Sequence, residues 1–396
     1  MSFPIDQANF SGKRVLIRVD FNVPLNDARE VTDTTRIRAA LPTIQKVLKD
    51  GGTPILMSHL GRPKGVDPTL SMKHIAATVQ ELVGTNVHVT DDCIGETSLK
   101  VSSSVPAGEI CLLENLRFHD EEKKGDEFFA GQLAEHGDVW INDAFGTAHR
   151  AHASTAVIAR FFPHEKYLGY VMENEIMNVD KVLNGGNSPV TAIVGGAKVS
   201  SKIVILEQLI NKVDNVIIGG GMAYTFTKAM GGKIGNSLVE DDHLEDALKI
   251  MEAAEKLGVK IHLPSDTMIA DDFNNDAETD VCPTNAIPDN WMGLDIGPET
   301  INRYSEVLES SKTILWNGPM GVFEMPSFAM GTEAIANQLA HVTKDGAFTL
   351  IGGGDSVAAI NQYGLADAVS YVSTGGGAML EYLEGKVLPG IAAVKG

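Results

Sequence analysis

The sequence predicts two doubly wound, Rossmann-like α/β domains, each with a parallel sheet, facing each other across a cleft and joined by a helix. The chain has 396 residues, enough for two domains at about 100–200 residues each. Short apolar runs rich in β-branched residues alternate with helical patterns, which is typical of parallel sheets covered by helices. The 40 glycines and 16 prolines follow no repeat and therefore mark turns in a folded chain.

The elements are assigned from hydrophobic periodicity and from the turn residues that bound each run. In the first half, strands are predicted at residues 14–19, 53–57, 110–113 and 139–142, and helices at 34–49, 71–82 and 127–135. In the second half, strands are predicted at 190–194, 215–218, 259–263, 313–316, 347–351 and 368–372, and helices at 200–211, 241–257, 298–310, 327–341 and 356–362.

The alternation of strands and helices stops near residue 170, where a helical pattern over 173–183 ends at an Asn-Gly-Gly-Asn stop. This helix is expected to join two domains, residues 1–170 and 171–379. In open parallel sheets, ligands bind beyond the carboxyl ends of the strands, so polar residues at those ends are the candidates for function.

Charge and cysteine usage exclude several classes of protein. The formal net charge of −20 argues against a general nucleic-acid or anionic-membrane binder. Three cysteines without paired spacing indicate neither disulfides nor a zinc site. No apolar run approaches the roughly 18 residues of a membrane span, and the first ten residues lack a signal-peptide pattern, so a cytoplasmic protein is expected.

The first half carries polar and cationic residues after each predicted strand. Nine of the ten arginines lie at or before Arg160, and planar guanidinium groups suit phosphate and carboxylate. An Asx turn and ordinary surface arginines are the simpler interpretations, but arginines after three successive strands favour one anion site. Its candidate residues are Asp20, Asn22, Arg36, His59, Arg62, Arg117 and Arg150.

The second half has three glycine-rich segments after strands, at residues 195–202, 352–356 and 373–377. Glycines let backbone N–H groups approach phosphate, and Lys198 and Lys202 add positive charge. Asp355 could hold Mg²⁺ that bridges nucleotide phosphates, or it could cap the following helix. Tight packing explains a single Gly-Gly turn, whereas three such turns favour a phosphate site.

The motifs argue against two other functions that a two-domain α/β protein could have. A nicotinamide-dependent oxidoreductase needs a G-x-G-x-x-G fingerprint at a helix start, and the chain has none. A two-lobed anion-binding protein fits an arginine-lined cleft but does not explain three glycine-rich turns. The sequence also lacks a Walker-type G-x-x-x-x-G-K-[ST] motif.

The motifs at residues 18–24, 59–62, 143–150, 195–202, 316–324, 352–356, 373–377 and 384–390 resemble, in order, those of the phosphoglycerate kinase family. The resemblance implies Mg²⁺-dependent phosphoryl transfer between ATP and the carboxylate of 3-phosphoglycerate, by a monomer whose domains close by hinge bending. It assigns the first domain, together with a returning segment at 380–396, to 3-phosphoglycerate, and 171–379 to the nucleotide. On the nucleotide side it implies Lys202, Gly219, Gly220, Gly293, Glu324, Gly353, Gly354, Asp355 and Ser356, with Asp355 as the metal ligand.

Such a reaction needs no general base, because its acceptor oxygens are already ionised at neutral pH. Catalysis then depends on alignment and on neutralising charge at the moving phosphoryl group. That role is assigned to Arg36, to Lys198 and to the backbone amides of Gly375 and Gly376.

Overall fold

The computed structural model describes residues 4–396, and the chain divides into two compact units. The first comprises residues 4–176 and 386–396, and the second comprises residues 177–385. The boundaries drawn from the sequence, after residues 170 and 379, lie a few residues earlier. The first turn of the joining helix adheres to the first unit, where Tyr170 N–H donates to Thr43 Oγ1 at 3.0 Å and Val171 N–H to Asp143 Oδ1 at 2.8 Å.

The first unit contains a six-stranded sheet in which every strand pair is parallel, in the order β3-β4-β2-β1-β5-β6. Its strands are β1 (Arg14–Val19), β2 (Thr53–Met57), β3 (Val87–Val89), β4 (Ile110–Leu112), β5 (Val139–Asp143) and β6 (Lys166–Leu168). Its helices are α1 (Pro4–Gln7), α2 (Thr35–Lys49), α3 (Lys73–Val83), α4 (Glu96–Ser103), α5 (Asp120–Lys124) and α6 (Glu127–Ala134), followed by α7 (Tyr170–Leu183), which continues into the second unit.

The centre of this sheet forms where the sequence is apolar on both faces. β1 lies between β2 and β5, with Leu16 opposite Ile55 on one side and Trp140 on the other. One stripe of α2, including Ile37 and Ile44, is buried in a separate core cluster with Val15 and Ile17 of β1, as the helical periodicity of α2 predicts.

Burial of His136, on the segment after α6, makes the stability of the first unit depend on pH. Its Nδ1 lies 2.7 Å from Ser102 Oγ, and burial lowers its pKa to about 4. In the unfolded chain the histidine takes up a proton near pH 6.5. Between these values the unfolded state binds more protons, so the free energy of unfolding falls as the pH falls.

When the pH is lowered from about 7 to about 4, we therefore expect the free energy of unfolding of the wild type to fall by about 3 kcal/mol more than that of His136→Gln. Urea denaturation at a series of pH values measures this difference. His164→Gln, at an exposed histidine, is the control for the loss of a surface imidazole. A difference between wild type and His136→Gln that stays constant with pH would contradict the assignment.

The second unit contains another parallel six-stranded sheet, in the order β10-β8-β7-β15-β16-β17. The strand order reverses between β7 and β15, which is where ligands bind in doubly wound sheets. The strands of this unit are β7 (Val190–Val194), β8 (Asn215–Ile218), β9 (Lys233–Ile234), β10 (Lys260–His262), β11 (Asp266–Ala270), β12 (Thr279–Pro283), β13 (Ala286–Ile287), β14 (Met292–Ile296), β15 (Thr313–Asn317), β16 (Phe348–Ile351) and β17 (Tyr371–Val372). The helices are α8 (Ile203–Leu209), α9 (Met222–Ala229), α10 (Leu244–Leu257), α11 (Pro298–Ser310), α12 (Met330–Lys344), α13 (Gly354–Gln362) and α14 (Gly377–Leu383).

The prediction of two parallel-sheet α/β units is confirmed, and several elements differ from it. An antiparallel sheet, β12-β11-β14, occupies the stretch between β10 and α11 that the sequence left unassigned. The edge strand β3 and the helices α4 and α9 were also not predicted. Helix α8 begins at Ile203 rather than at residue 200, so the glycines at 195 and 196 are not at its first turn.

The last helix, α15 (Pro389–Lys395), belongs to the first unit. Lys166 on β6 donates from Nζ to the Ala393 carbonyl at 2.8 Å, and Asn142 Nδ2 donates to the Gly390 carbonyl at 3.1 Å. Among the described residues, no helix combines the length and the apolar character that crossing a membrane requires.

Candidate functional site

The candidate anion-binding residues of the first unit follow four strands that are neighbours in the sheet, β4, β2, β1 and β5. Because these strands are parallel, their carboxyl ends lie at one edge. Asp20 and Asn22 follow β1, and His59 and Arg62 follow β2. Arg117 lies in a 3₁₀ turn after β4. Arg150 lies on the segment after β5, and Arg36 is in the first turn of α2.

Asp20 and Asn22 hold Arg36 in place. Arg36 Nη1 donates to Asp20 Oδ2 at 3.1 Å and to the Asn22 carbonyl at 3.0 Å. The Asx-turn interpretation is also correct, because Asn22 N–H donates to Asp20 Oδ1 at 3.3 Å. Asn22 Oδ1 accepts from Gly61 N–H at 2.8 Å, which ties the segment after β1 to the segment after β2. A guanidinium has five N–H donors, so Arg36 keeps donors for a ligand.

His59 is buried and contacts Arg18, a residue that the sequence analysis missed. Arg18 Nη2 lies 3.1 Å from His59 Nδ1, and an arginine can only donate, so Nδ1 is the acceptor and the ring proton is on Nε2. Burial, followed by the charges of Arg18 and Arg117, keeps the pKa of His59 well below its ordinary value. The signal for Arg18 was present in the sequence, as a charge inside the otherwise apolar second half of β1.

Buried groups behind Arg18 fix its position. Arg18 Nε donates to Ser154 Oγ at 2.9 Å, and Ser154 donates to Glu122, from Oγ at 2.6 Å and from N–H at 3.0 Å. All three residues are at most 1% exposed. Burial raises the pKa of Glu122, while the Arg18 charge opposes that shift.

Arg62, Arg117 and Arg150 lie in the same part of the first unit as Arg18 and the histidines His59 and His152. Arg117 Nη1 donates to the Gly61 carbonyl at 2.8 Å, and burial followed by the Arg18 charge lowers its pKa, with Arg62 among the further causes. Burial and then the charges of Arg18, Arg117 and Arg150 lower the pKa of His152 to about 4. Arg62 and Arg150 are exposed. Five guanidinium groups against the carboxylates of Asp20 and Glu122 leave a positive excess that suits an anionic ligand.

In the second unit, the segments after β7, β8 and β15 pack against one another backbone to backbone. Gly195 N–H donates to the Asn317 carbonyl at 2.9 Å, and Gly220 N–H donates to the Met320 carbonyl at 2.9 Å. A Cβ on Gly195 would lie 2.1 Å from the Pro319 carbonyl oxygen, and one on Gly219 would lie 2.4 Å from Met320 Sδ. These glycines therefore also have the packing role that was the simpler interpretation.

A chain of hydrogen bonds links the lysine of the first glycine-rich segment to the second segment. Lys202 Nζ donates to Asn317 Oδ1, and Asn317 Nδ2 donates to the Gly352 carbonyl at 2.8 Å. Burial lowers the pKa of Lys202, and the nearby Asp355 opposes that shift. Ser356 is buried, and its Oγ accepts from Gly318 N–H at 2.6 Å, so it ties α13 to the segment after β15.

Asp355 is exposed in the first turn of α13 and does not cap this helix. The N-cap is Gly353, with φ of 91°, and no side chain caps the helix. The charge of Asp355 opposes the lowering of the Lys202 pKa by burial, so the carboxylate acts electrostatically on the ammonium of this segment. Mg²⁺ bound with a nucleotide takes one or two carboxylates plus phosphate oxygens, and the single carboxylate here fits that requirement.

The other predicted nucleotide-side residues are more dispersed. Lys198 and Glu324 are exposed, and Gly354 is the exposed first residue of α13. Gly376 is the N-cap of α14 with φ of 49°, and Gly375 N–H donates to Ser373 Oγ at 3.0 Å. Gly293 on β14 is a packing position, since a Cβ there would lie 2.1 Å from Tyr224 Oη.

One parallel-sheet unit with arginines at its strand ends, and a second with glycine-rich segments, a lysine and a carboxylate, are the features expected of a phosphotransferase. A family model described as phosphoglycerate kinase matches residues 5–386, and the chain belongs to the phosphoglycerate kinase family. The resemblance noted in the sequence is thereby confirmed.

Similar proteins agree over their full lengths. The chain is 53% identical to the phosphoglycerate kinase of Porphyromonas gingivalis, covering 99% of this chain and 100% of that protein. It is 52% identical to the cytosolic phosphoglycerate kinase of Triticum aestivum, covering 98% of this chain and 97% of that protein. The solved structure of phosphoglycerate kinase from Coxiella burnetii is similar with a TM-score of 0.90 and 38% identity, covering 100% of this chain and 99% of that one.

Proposed function

We infer that this protein is a phosphoglycerate kinase, which transfers a phosphoryl group reversibly between ATP and the carboxylate of 3-phosphoglycerate, in glycolysis. The observation that carries this proposal is the arginine cluster at the carboxyl ends of four adjacent strands, in a chain that belongs to this family over nearly its whole length. The substrate has a phosphate and a carboxylate, both of which suit guanidinium groups.

The first unit binds the phosphoglycerate. Arg62, Arg117 and Arg150 supply charge to its phosphate, and neutral His59 offers the Nε2–H as a donor. Asp20 and Asn22 orient Arg36 and can accept from the substrate hydroxyl. Arg36, held by its Nη1, presents its remaining donors to the phosphoryl group being transferred, where neutralising charge lowers the barrier.

The second unit binds the nucleotide. Lys202 and the glycine-rich backbone segments that include Gly353 and Gly354 contact the phosphates, and Glu324 binds the ribose hydroxyls. Gly219, Gly220 and Gly293 line the adenine site. Ser356 supports the nucleotide site as a whole, because its Oγ holds the segment after β15. Lys198 and the amide of Gly376 stabilise charge on the transferring group, and the Gly375 amide joins them only by leaving Ser373 Oγ.

Asp355 would hold the Mg²⁺ that accompanies ATP or ADP. When bound, Mg²⁺ supplies charge neutralisation at the phosphate oxygens. The protein's own contribution is an exposed carboxylate in the first turn of α13, whose charge acts on the ammonium of Lys202.

No general base is required, because the acceptor oxygen of the phosphoglycerate carboxylate, or of ADP, is already ionised. The structure of the first unit agrees with this chemistry, since the imidazole of His59 is committed as an acceptor to Arg18 through Nδ1. The oxidoreductase and anion-binding alternatives are not favoured by the family match. A cytoplasmic location and a monomeric state stay predictions.

An assay for the acyl phosphate product tests this function. With ATP, Mg²⁺ and 3-phosphoglycerate, the protein is expected to form a product that hydroxylamine traps as a hydroxamate. Glycerate, which lacks the phosphate that the arginines bind, is the matched substrate control and should give far less product. No Mg²⁺-dependent hydroxamate from a folded preparation would contradict the proposed function.

A further inference from the structure

Three metal-ligating side chains converge in the first unit at a place that the proposed function does not use. Asp92 and Cys93 lie on the segment between β3 and α4, and His119 follows the 3₁₀ turn after β4. One ligand atom from each, a carboxylate oxygen, the Cys93 sulfur and a ring nitrogen, lie within 4.8 Å of one another. This cluster was not predictable from the sequence, because His119 is far from Asp92 and Cys93 in the chain.

The cluster is held in place by its surroundings. His119 Nε2 lies 2.7 Å from Asp92 Oδ1, and the His119 ring packs against the Phe129 ring with centroids 5.2 Å apart. Asp92 is anchored from both sides, as its Oδ1 accepts from Cys93 N–H at 2.6 Å and its carbonyl accepts from Ser98 Oγ at 2.7 Å. A metal ion bound here would replace the hydrogen bond between His119 Nε2 and Asp92 Oδ1 and move these two atoms apart from 2.7 Å.

The donor set determines which ion would fit. Zn²⁺ takes thiolate, imidazole and carboxylate ligands at about 2.0–2.3 Å in a tetrahedron, which separates ligand atoms by roughly 3.3–3.7 Å. In the structure His119 Nε2 and Asp92 Oδ1 are 2.7 Å apart, and all three ligand atoms lie within 4.8 Å of one another. Mg²⁺ prefers an all-oxygen shell, so this cluster differs in chemistry from the proposed nucleotide site.

The cluster is open to solvent on the side of Asp92 and His119. Cys93 is fully buried, whereas Asp92 and His119 are half-buried. His119 also lines a cavity of about 610 Å³ together with Asp120, Glu121 and Lys123. A water molecule, or one of these carboxylates, can complete a tetrahedron from that side.

We propose that Asp92, Cys93 and His119 form a binding site for a borderline divalent metal ion, Zn²⁺ being the natural occupant. On binding, the metal forms bonds to sulfur, nitrogen and oxygen. The thiol proton and any proton on His119 Nε2 leave to solvent. No oxidation is involved.

Cobalt(II) is the probe that tests the site, because a thiolate bound to Co²⁺ produces a charge-transfer absorption that carboxylate and imidazole ligands do not. Titration of the full-length apoprotein with Co²⁺ should give this absorption in equal proportion to the protein, and Zn²⁺ should abolish it by displacement. Cys93→Ala should eliminate it, whereas Cys282→Ala, which removes a thiol from the second unit, should retain it.

His119→Gln serves as a second variant that alters the outer side of the site and leaves the buried cysteine in place. It should weaken Co²⁺ and Zn²⁺ binding at least about tenfold, since even residues that only support a metal ligand contribute about that much. Wild-type protein without thiolate-to-cobalt absorption, or absorption that survives in Cys93→Ala, would overturn the proposal. Neither readout involves phosphoryl transfer, so this result is independent of the proposed function.

Discussion

Arg36→Ala is expected to lower kcat by about 10²–10⁴, equivalent to roughly 3–5 kcal/mol of transition-state stabilisation. The structure explains why this arginine is ready to act, because Asp20 and the Asn22 carbonyl both hold its Nη1. A guanidinium fixed before the reaction costs little to organise when charge develops on the phosphoryl group.

Steady-state kinetics with both substrates varied would separate the two roles available to Arg36. A loss of kcat with little change in KM identifies an interaction made in the transition state. Arg38→Ala is the matched control, since Arg38 is on the same helix, is exposed and bonds only to Thr34 Oγ1 at 3.0 Å through its Nε. An unchanged kcat with a raised KM for Arg36→Ala would reduce its role to ground-state binding.

Glu122→Gln is expected to destabilise the protein by about 3 kcal/mol, although the residue contacts no substrate. Glu122 is 1% exposed and accepts two hydrogen bonds from Ser154, which in turn accepts from Arg18 Nε. Removing the carboxylate charge leaves the buried Arg18 guanidinium less well compensated, which is costly in a low-dielectric interior.

Chemical denaturation of Glu122→Gln and of a control variant, Glu121→Gln, measures this loss of stability. Glu121→Gln is the control, because Glu121 is the adjacent residue and is exposed, so its substitution should change the free energy of unfolding by less than about 0.5 kcal/mol. Equal stability of Glu122→Gln and Glu121→Gln would contradict the role of the buried network.

The central strands and long helices were predictable because their physics is local. β1, β5, β7 and β15 are buried on both faces, and each therefore contains a run of consecutive apolar residues, which in β1 is interrupted only by Arg18 after Ile17. β12 was not predictable from such a run, because four of its five residues are exposed and it pairs only with β11. β3 is a half-buried edge strand of three residues, too short for a period to show.

The candidate site shows the same division. Strand-end arginines could be found in the sequence because a parallel sheet brings its carboxyl ends together. The roles of Arg18, Ser154 and Glu122 could not be found in that way, because their hydrogen bonds join residues 32 and 136 positions apart. The packing roles of Gly195, Gly219 and Gly293 likewise depend on residues that are distant in the chain, and a glycine in the sequence does not show which residues those are.

The central claim is that the first unit binds the phosphoglycerate and the second binds the Mg²⁺-nucleotide. Calorimetric titration of each ligand into Arg62→Ala and Asp355→Asn tests it most directly, with Asp367→Asn as a control at an exposed carboxylate of the second unit. Arg62→Ala should weaken 3-phosphoglycerate binding by about 10–100-fold and leave Mg-ADP binding unchanged, since a charge-assisted contact contributes about 1.5–3 kcal/mol. Asp355→Asn should weaken Mg-ADP binding and leave 3-phosphoglycerate binding unchanged. The account would be contradicted if either variant lost affinity for the ligand of the other unit, or if Asp355→Asn bound Mg-ADP as tightly as the wild type.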